Sequence, residues 1–467
     1  MLLVLDQREK KAQPRRLTLA SALALIEREP HVGGAVVNTG GVPSKTLRET
    51  ALYFSGLRQR GLYNFDYSPR ENFTIEDFMY RKQVVVETQR SITSNNLKRH
   101  NIHVIHGEGR IKDKNTVIVR SAQEEEELNA DVILVATGSS PLRPANIPFD
   151  HTLIYDSDEI LKMERIPGTM LVVGGGSIGT EYASIFTALG VEVTLLEPND
   201  RILSFLDAEV VEQLTRRLEK LGVKFLHRDR LVSIETQDGQ VEVTLQSGAR
   251  QVFDIALIAV GRHSNVQNLG LEEVGVKVAD RGLVIVNEKY QTSVPNIYAV
   301  GDVIGFPALA STSMEQARVA MVHAFDLHYK EVVSRILPVA IYAIPEISAV
   351  GLTEDQCKNK EIAYLVGRAY YEQSPRGQII GDTNGMIKLI FSPEDKRLLG
   401  AHIVGEQASE LIHVAAQVIL RDEPIDTFIE AVYNYPSLTD LYKYAAYDGL
   451  GKLEALLKST RDGKQDN

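Results

Sequence analysis

The sequence predicts an α/β fold with two Rossmann-like nucleotide-binding domains, and three patterns carry this prediction. A short apolar run over residues 170–173 precedes a glycine-rich turn, and residues 180–189 then have helical apolar spacing. A second predicted strand over residues 191–197 completes a βαβ unit. Two further apolar runs, over residues 132–136 and 255–260, each end in a glycine turn, which indicates one such strand in each nucleotide domain.

The glycine turn of this βαβ unit has the spacing of a dinucleotide-binding fingerprint. Its members are Gly174, Gly176, Ser177, Ile178 and Gly179. The first glycine permits a tight turn, the second lets the backbone approach a pyrophosphate, and the third lets helix and strand pack closely. The free N–H groups at the start of the helix attract the anion. We therefore expect a nicotinamide dinucleotide at this turn.

Glu197 ends the second strand of the unit, 23 residues after Gly174. A carboxylate at this place accepts hydrogen bonds from a ribose 2′-hydroxyl and repels a 2′-phosphate, so Glu197 favours NAD(H) over NADP(H). Arg201 lies four residues further on. Its positive charge would weaken that preference, because a guanidinium attracts a phosphate.

Length and charge limit the classes of function. The 467 residues are enough for about three domains. The net charge of -11 argues against a nucleic-acid partner, because phosphate binding needs a basic face. No apolar run approaches the roughly 20 residues that span a bilayer, so we expect no membrane segment.

Cys357 is the single cysteine, which excludes an internal disulfide and a multi-cysteine metal site and is typical of a reducing cytoplasm. We expect it to be an incidental thiol at an exposed helix start. The spacing of His100, His103 and His106 alternates between the faces of a predicted strand, so we predict no metal site there. The acidic run over residues 124–127 is most simply a solvated hairpin or loop.

Further motifs resemble those of the pyridine-nucleotide-disulfide oxidoreductases, a family of flavoproteins. Residues 33–45, with the sequence GGAVVNTGGVPSK, resemble the redox segment of the family. Residues 292–302 resemble its second FAD motif, and residues 136–138 and 260–262 resemble its domain-crossing turns. The likeness extends from about residue 24 to residue 451. It implies FAD-dependent hydride transfer between NADPH and NAD, with FAD, NAD(H) and NADP(H) as the cofactors and substrates.

The resemblance also implies a division of the chain into domains. Residues 1–150 would be the N-terminal part of an FAD-binding domain, and residues 151–270 an NAD(P)-binding domain. Residues 271–335 would complete the FAD domain. Residues 336–467 would be an α+β dimerisation domain, so the resemblance implies a homodimer.

Particular residues acquire roles through the same resemblance. The cofactor-binding positions outside the fingerprint are Glu27, Gly33, Gly34, Lys45, Thr137, Gly138, Gly261, Gly301 and Asp302. In the second FAD motif the family's Asp, here Asp302, holds the ribityl or phosphate end of the flavin. Lys45 and Glu181 match an ion pair beside the flavin, in which Lys45 would stabilise negative charge on the reduced ring.

The thiol chemistry of the family has no residues to perform it here. Val36 and Gly41 occupy the positions of the two redox cysteines. Tyr435 and Asp440 occupy those of the His and Glu that the partner subunit supplies as acid and base. A dithiol relay is therefore excluded, and glutathione, lipoamide and mercuric ion are poor substrate candidates.

The start of the chain departs from the family pattern as well. Counting 23 residues back from Glu27 places the glycine positions of a first GxGxxG at Val4, Asp6 and Glu9. Two carboxylates would then lie against a pyrophosphate. Permitted codons for Met1–Lys11, read from each third base, encode VIGSGPAGKK, so residues 1–22 are a candidate frameshift product. Losing a few charge-assisted hydrogen bonds would weaken FAD binding by about 3–6 kcal/mol, or roughly 10²- to 10⁴-fold.

Two rival functions remain open from the sequence. The first is an NADH-dependent reductase of quinones or dyes, which Glu197 supports. The second is an inactive nucleotide-binding dimer that has lost FAD, which the altered start of the chain supports.

Overall fold

The computed structural model describes residues 2–6, 22–57 and 73–465. These residues group into two compact units. The first unit is drawn from Met1–Thr46, Met79–Leu142 and Gly261–Ser334, and the second from Leu47–Phe78, Arg143–Val260 and Arg335–Asn467.

The helices and strands alternate along much of the chain. The strands are β1 (Leu2–Asp6), β2 (Ala22–Glu27), β3 (Ile102–His106), β4 (Glu108–Asp113), β5 (Thr116–Arg120), β6 (Glu125–Asn129), β7 (Val132–Val135), β8 (Ser139–Pro141), β9 (Ile154–Asp156), β10 (Thr169–Val173), β11 (Glu192–Glu197), β12 (Lys224–His227), β13 (Leu231–Gln237), β14 (Gln240–Leu245), β15 (Arg250–Phe253), β16 (Ile255–Ile258), β17 (Arg262–Ser264), β18 (Ile297–Ala299), β19 (Val339–Ile341), β20 (Ile347–Gly351), β21 (Leu365–Tyr370), β22 (Met386–Phe391) and β23 (Leu398–Val404). The helices are α1 (Gly34–Asn38), α2 (Gly41–Ser55), α3 (Ile75–Arg99), α4 (Ser177–Ala188), α5 (Ala208–Leu221), α6 (Ala310–Ala324), α7 (Glu354–Asn359), α8 (Pro375–Ile380), α9 (Ala408–Leu420), α10 (Asp426–Glu430) and α11 (Leu441–Gln465). In the described part of the chain, no helix combines the length and the apolar character that crossing a bilayer requires.

The main sheet of the first unit has the strand order β18-β7-β1-β2-β3. β2 is parallel to β3 and β18 is parallel to β7, whereas β1 is antiparallel to both of its neighbours. Leu2 pairs with Ile26 and Asp6 pairs with Ala22, so β1 ends at the edge of the sheet where β2 begins. The carboxyl end of β1 therefore lies beside the amino end of β2, at the other edge of the sheet from the carboxyl end of β2. The described strands β1 and β2 therefore do not form the parallel pair of a βαβ unit.

Two smaller antiparallel assemblies complete the strands described in the first unit. β4, β5 and β6 form a three-stranded sheet, and β8 pairs with β17. The acidic run at 124–127 leads into β6 and is exposed, which confirms the predicted hairpin. Apolar residues of β2, β4, β5, β7 and β18 form a buried core under these sheets.

The second unit contains the parallel sheet that the sequence predicts most clearly. Its strand order is β12-β11-β10-β16-β9, and every neighbouring pair is parallel. β10, α4 and β11 form the predicted βαβ unit. β16 is buried at all four positions, as expected for a strand covered on both faces.

A second sheet of this unit is antiparallel, with the order β19-β20-β23-β22-β21. β22 and β23 form the hairpin that the sequence predicts over residues 386–404. All six residues of β22 are buried, including Lys388. Residues of α9 and α11 share one apolar core with this sheet.

The expectation for Cys357 is wrong. Helix α7 begins where predicted, with a capping box between Thr353 and Gln356. Cys357, however, is fully buried and packs in a small apolar cluster with Val366 and Ile390. Burial raises the pKa of its thiol above the ordinary value. The thiol is therefore a small apolar core group and not an exposed one.

Gly367 lies in β21 at a close approach of α11 to the antiparallel sheet. A Cβ atom at Gly367 would overlap the carbonyl oxygen of Ala445, whereas a Cβ atom at Gly451 of the same helix would meet nothing within 4 Å. We predict that Gly367→Ala lowers the free energy of unfolding by about 1–3 kcal/mol or more, because the helix must move away. Gly451→Ala is the matched control and should raise the stability by roughly 0.5–1 kcal/mol, because alanine favours a helix. Denaturant unfolding of both variants measures the two effects, and equal stabilities would contradict this packing.

Candidate functional site

The glycine turn after β10 has the geometry that a dinucleotide requires. Gly174 has φ +106°, and a Cβ atom there would lie 2.5 Å from the carbonyl oxygen of Ala259. A Cβ atom at Gly179 would overlap the oxygen of Gly174, so only glycine lets α4 begin this close to the strand. Gly176, in contrast, has open space around its Cα. Helix α4 starts at Ser177, followed by Ile178, so its first N–H groups face this open space.

Glu197 closes β11 beside this turn and is buried. Its Oε2 accepts a hydrogen bond of 2.6 Å from the N–H of Gly175. Its Oε1 accepts two hydrogen bonds from Asn199, of 2.9 Å from the backbone N–H and 2.6 Å from Nδ2. The carboxylate thus fixes the glycine turn, and a fourth lone pair is left for a ribose hydroxyl.

The loop of residues 198–206 covers the glycine turn, a feature that sequence reasoning missed. The N–H of Leu203 donates to the oxygen of Gly175 over 2.8 Å, and Ile202 packs against Gly175. Leu203 has φ +45° in the left-handed region, which leucine seldom adopts. No motif signals this loop, because its effect depends on contacts and not on residue spacing.

In the first unit, the turns after β7 and β18 form a cradle. Gly138 and Gly301 both have positive φ, of +70° and +77°. Ser139 Oγ donates to Asp302 Oδ2 over 2.7 Å, and the N–H of Gly301 donates to Gln316 over 2.8 Å. The cradle therefore presents an oriented carboxylate beside the open turn at Gly138, whereas Ser313 packs against the turn at Gly301.

Arg262 and Thr137 complete the description of the cradle, since Arg262 holds Ser139 in place and Thr137 carries a hydroxyl without a described partner. Arg262 Nε donates to Ser139 Oγ over 2.8 Å and so fixes the group that orients Asp302. The preceding Gly261 has φ +129°, as a sharp turn between strands needs. Thr137 Oγ1 is buried and has no hydrogen-bond partner within the described chain, so it is available to a bound group.

Glu27 and the turn at Gly33 and Gly34 lie at the end of β2. Glu27 is buried, and its Oε1 accepts a hydrogen bond from the N–H of Glu29 over 3.1 Å. Asn38 holds the glycine turn by donating Nδ2 to the oxygen of Gly34 over 3.0 Å. Arg90 in turn donates Nε to Asn38 Oδ1 over 2.7 Å. Asn38 and Arg90 are therefore site-supporting residues that the motif alone does not reveal.

These residues fit FAD in part. The unpartnered Thr137 hydroxyl, the open backbone at Gly138 and the oriented Asp302 suit the ribityl side of a flavin, and the buried Glu27 suits a ribose. The diphosphate side departs from the expected site, because β1 is antiparallel and no glycine fingerprint follows it. The predicted seats Val4 and Asp6 lie in β1, and the third predicted seat, Glu9, lies outside the described residues.

The two former thiol positions still face each other. Val36 lies in α1 and Gly41 opens α2. A Cβ atom at Gly41 would lie 3.6 Å from Val36 Cα and 3.5 Å from Val36 Cγ1. This spacing is close to that of bridged cysteines, although neither residue carries sulfur.

Lys45 and Glu181 are placed in different units, so each is described within its own unit. Lys45 is half-buried in α2, and its Nζ lies 3.4 Å from Ser44 Oγ. Glu181 is buried in α4 and accepts a hydrogen bond of 2.9 Å from the N–H of Tyr342. The ion pair between Lys45 and Glu181 stays a prediction. Of the residues in place of the partner's acid–base pair, Tyr435 is 70% exposed and Asp440 ends a short 3-10 turn.

The fold and the two sheet edges together define a class of protein. One edge holds an intact dinucleotide fingerprint, and the other holds the buried Glu27 and the oriented Asp302, which would suit a second nucleotide cofactor. A chain with two such edges is typical of an oxidoreductase that passes electrons between two bound nucleotides.

Comparison with known proteins identifies the family. The model of the pyridine nucleotide-disulphide oxidoreductases matches residues 15–324, and that of their dimerisation domain matches residues 337–446. The chain is 41% identical over 449 residues to the soluble pyridine nucleotide transhydrogenase of Mycobacterium bovis, which covers 96% of each chain. It is 38% identical over 435 residues to the protein of the same name from a Marinomonas species, covering 92% of this chain and 93% of that one. The chain belongs to the pyridine nucleotide-disulphide oxidoreductase family.

Solved structures agree with the assignment. LpdA from Mycobacterium tuberculosis matches with a TM-score of 0.84 and 26% identity, over 91% of this chain and 93% of that chain. The HOCl-induced flavoprotein disulfide reductase RclA from Escherichia coli matches with a TM-score of 0.81 and 27% identity, over 90% of this chain and 93% of that chain. The predicted combination of two Rossmann-like domains and a C-terminal α+β dimerisation domain is confirmed.

The geometry of the former thiol positions can be tested directly. We predict that the double variant Val36→Cys/Gly41→Cys forms an internal disulfide under mild oxidation, because a Cβ atom at Gly41 would lie 3.6 Å from Val36 Cα and 3.5 Å from Val36 Cγ1, the two atoms bonded to Val36 Cβ. Mass spectrometry of alkylated protein measures the bridge. The single variant Gly41→Cys is the control, and its new cysteine should stay reduced and react with the alkylating reagent. A double variant that stays fully reduced in oxidant would show that the two positions are not opposed.

Proposed function

We propose that the protein is a FAD-dependent oxidoreductase that transfers hydride between NADPH and NAD without a redox disulfide. The observation that carries this proposal is the intact fingerprint at Gly174–Gly179 on a chain with no cysteine at residue 36 or 41. Relatives that align over nearly the whole chain bear the name soluble pyridine nucleotide transhydrogenase, which supports it.

The residues of the chain would act by binding and orientation. When bound, FAD supplies the hydride-accepting ring that no amino acid offers. Thr137, Gly138, Gly301 and Asp302 would hold its ribityl side, with Asp302 oriented by Ser139.

Other residues would act on the adenine ribose and on charge beside the ring. Glu27 would accept the adenine ribose hydroxyls. Lys45 would stabilise negative charge near the ring, and Glu181, fixed by the Tyr342 N–H, would be the counter-charge of Lys45.

The nicotinamide nucleotide would lie on the second unit. Its pyrophosphate would accept hydrogen bonds from the N–H groups at the start of α4, beside Gly176. Its adenine ribose would lie against Glu197, which favours NAD(H). We propose that NADP(H) also binds, because Arg201 and Arg228 border the same carboxyl edge. Arg228 follows β12 directly, and its Nε donates to an oxygen of Asp200.

Assembly and location follow as further proposals. The match of residues 337–446 to a dimerisation domain supports a homodimer built through residues 336–467. The single, buried cysteine supports a cytoplasmic location. The domain division at residues 150, 270 and 335 is proposed on the same family likeness.

The inactive alternative has a specific observation in its favour. The sequence has no glycine before Gly33, and β1 is antiparallel to both neighbours, so the diphosphate side would lack the family's first glycine turn. A reductase of quinones or dyes that uses NADH is the other alternative, since Glu197 favours that donor. Comparing NADPH with NADH as the donor, and NAD with a quinone as the acceptor, separates these activities.

Arg228 provides a test of nucleotide preference. We predict that Arg228→Met lowers kcat/KM for NADPH about tenfold and leaves the value for NADH unchanged, because only NADPH carries a 2′-phosphate for the guanidinium to bind. Arg216→Met is the control, since Arg216 pairs with Glu212 on the outer face of α5. Equal losses for both nucleotides would remove Arg228 from the recognition of phosphate.

The flavin site can be tested by restoring the start of the chain. We predict that a variant whose first residues are replaced by the segment VIGSGPAGKK binds FAD roughly 10²- to 10⁴-fold more tightly than this chain, because the glycine turn removes two carboxylates from the diphosphate. The visible absorption spectrum and a titration with FAD measure the difference. Asp302→Ala in the restored variant is the control and should weaken binding again. A restored variant that remains colourless with FAD present would refute the flavin site.

A further inference from the structure

A buried ion cluster lies at the far end of the loop of residues 198–206. Lys388 in β22 has only 1% of its side chain exposed. Its Nζ lies 2.7 Å from Asp207 Oδ1 and 2.8 Å from Glu209 Oε2, and it also pairs with Glu354. Arg368 adds a bidentate contact to Glu209, at 2.7 and 2.9 Å.

The three carboxylates of the cluster are neutralised in part by the ammonium group of Lys388. The oxygens of Asp207, Glu209 and Glu354 lie within 4.8 Å of one another, in an arrangement that would suit a metal ion. The ammonium of Lys388 contacts all three, so it takes the place of that ion. Although burial disfavours the ammonium, the hydrogen bonds to the three carboxylates raise the pKa of Lys388 above its ordinary value. The lysine therefore stays charged at neutral pH.

Asp207 connects this cluster to the nucleotide turn. It caps α5 through a hydrogen bond from the N–H of Glu209, and its Oδ2 accepts the N–H of Glu354 over 3.2 Å. The preceding loop turns back on itself, with the N–H of Leu206 donating to the oxygen of Leu203 over 2.9 Å. The N–H of Leu203 then reaches Gly175. A continuous series of contacts thus leads from Lys388 to the turn that would bind the pyrophosphate.

The loop of residues 198–206 contains a strained backbone conformation at Leu203, and contacts at both ends of the loop hold it there. The left-handed conformation of Leu203 costs roughly 1–2 kcal/mol for a residue other than glycine, and it persists only where the surroundings impose it. Glu197 and Asn199 hold one end of the loop. Asp207 holds the other, and Arg201 adds a contact of 3.2 Å to Asp355 in α7. Ile202, Leu203 and Leu206 are buried between the two ends.

We infer that Lys388 is a positioning residue for the nicotinamide nucleotide, because its ion cluster holds the loop of residues 198–206 in the strained form that keeps the glycine turn in shape. This inference rests on the proposed nucleotide site at Gly174–Gly179. It assigns a role in nucleotide binding to a lysine of the antiparallel sheet β19-β20-β23-β22-β21, outside the fingerprint.

The test measures binding of ADP-ribose by calorimetry, since this probe fills the adenine side of the site and needs no flavin chemistry. Lys388→Met removes the charge and keeps the length of the side chain. We expect its dissociation constant to rise about 3- to 30-fold over that of the wild type. Lys458→Met is the matched control, because Lys458 pairs with Glu454 on the surface of α11, and its dissociation constant should be unchanged.

Hydrogen exchange supplies a readout that a merely structural role would not move. In Lys388→Met the amide of Leu203 should exchange faster than in the wild type, while amides of the β10–β11 core should keep their protection. If Lys388→Met does not fold, Glu354→Gln serves in its place, because it removes one charge of the cluster at constant size. The same two measurements then apply, with a smaller expected change.

The possible outcomes separate the two proposals. Wild-type protein that binds no ADP-ribose would overturn the nucleotide site itself. Tight wild-type binding with an equal affinity in Lys388→Met would overturn only the positioning role. Weaker binding with unchanged exchange at Leu203 would also overturn it, because the loop would then not be the connection.

Discussion

The close approach of backbone to backbone at the carboxyl edge of a parallel sheet is the constraint on which the described site depends. At Gly179 the first turn of α4 comes so near to Gly174 that a single methyl group would not fit. This contact aims the start of the helix at the place where a pyrophosphate would lie. Glu197 and the loop of residues 198–206 then hold the turn in this shape by hydrogen bonds to Gly175.

The direction of a strand decides whether such an edge can form. In the second unit β10 ends at the glycine turn, so the chain leaves the sheet at the edge where β11 also ends. In the first unit β1 fills the equivalent central position but runs the other way. Its hydrogen bonds to β2 and β7 complete the described sheet. The sequence has no glycine before Gly33, and β1 does not end at the edge where β2 ends, so neither feature of an anion-binding turn accompanies this strand.

Sequence spacing predicts those features that depend on neighbours along the chain. The βαβ unit, the hairpin of β22 and β23 and the roles of Gly174 and Gly179 follow from periodicity and local turn chemistry. The burial of Cys357 was predicted wrongly, because the polar residues around it conceal the face that packs on β22. Arg90 lies 52 residues from Asn38, and Lys388 lies 181 residues from Asp207, so no local pattern contains either contact. Such partners become visible only when the fold brings them together.

Because residues 36 and 41 carry no thiol, a redox disulfide cannot accept electrons from the flavin, and a bound nucleotide would have to accept the hydride. The sequence holds one intact GxGxxG, so NADPH and NAD would have to use the same turn, one after the other. Glu197 would then lie beside an adenine ribose that carries a 2′-phosphate in NADPH and a 2′-hydroxyl in NAD. Its carboxylate is already engaged by three N–H groups, which lessens its repulsion of a phosphate, and Arg201 and Arg228 add positive charge at the same edge. A site that discriminated strongly would stall with one nucleotide bound, whereas this balance of charges is compatible with exchange between the two.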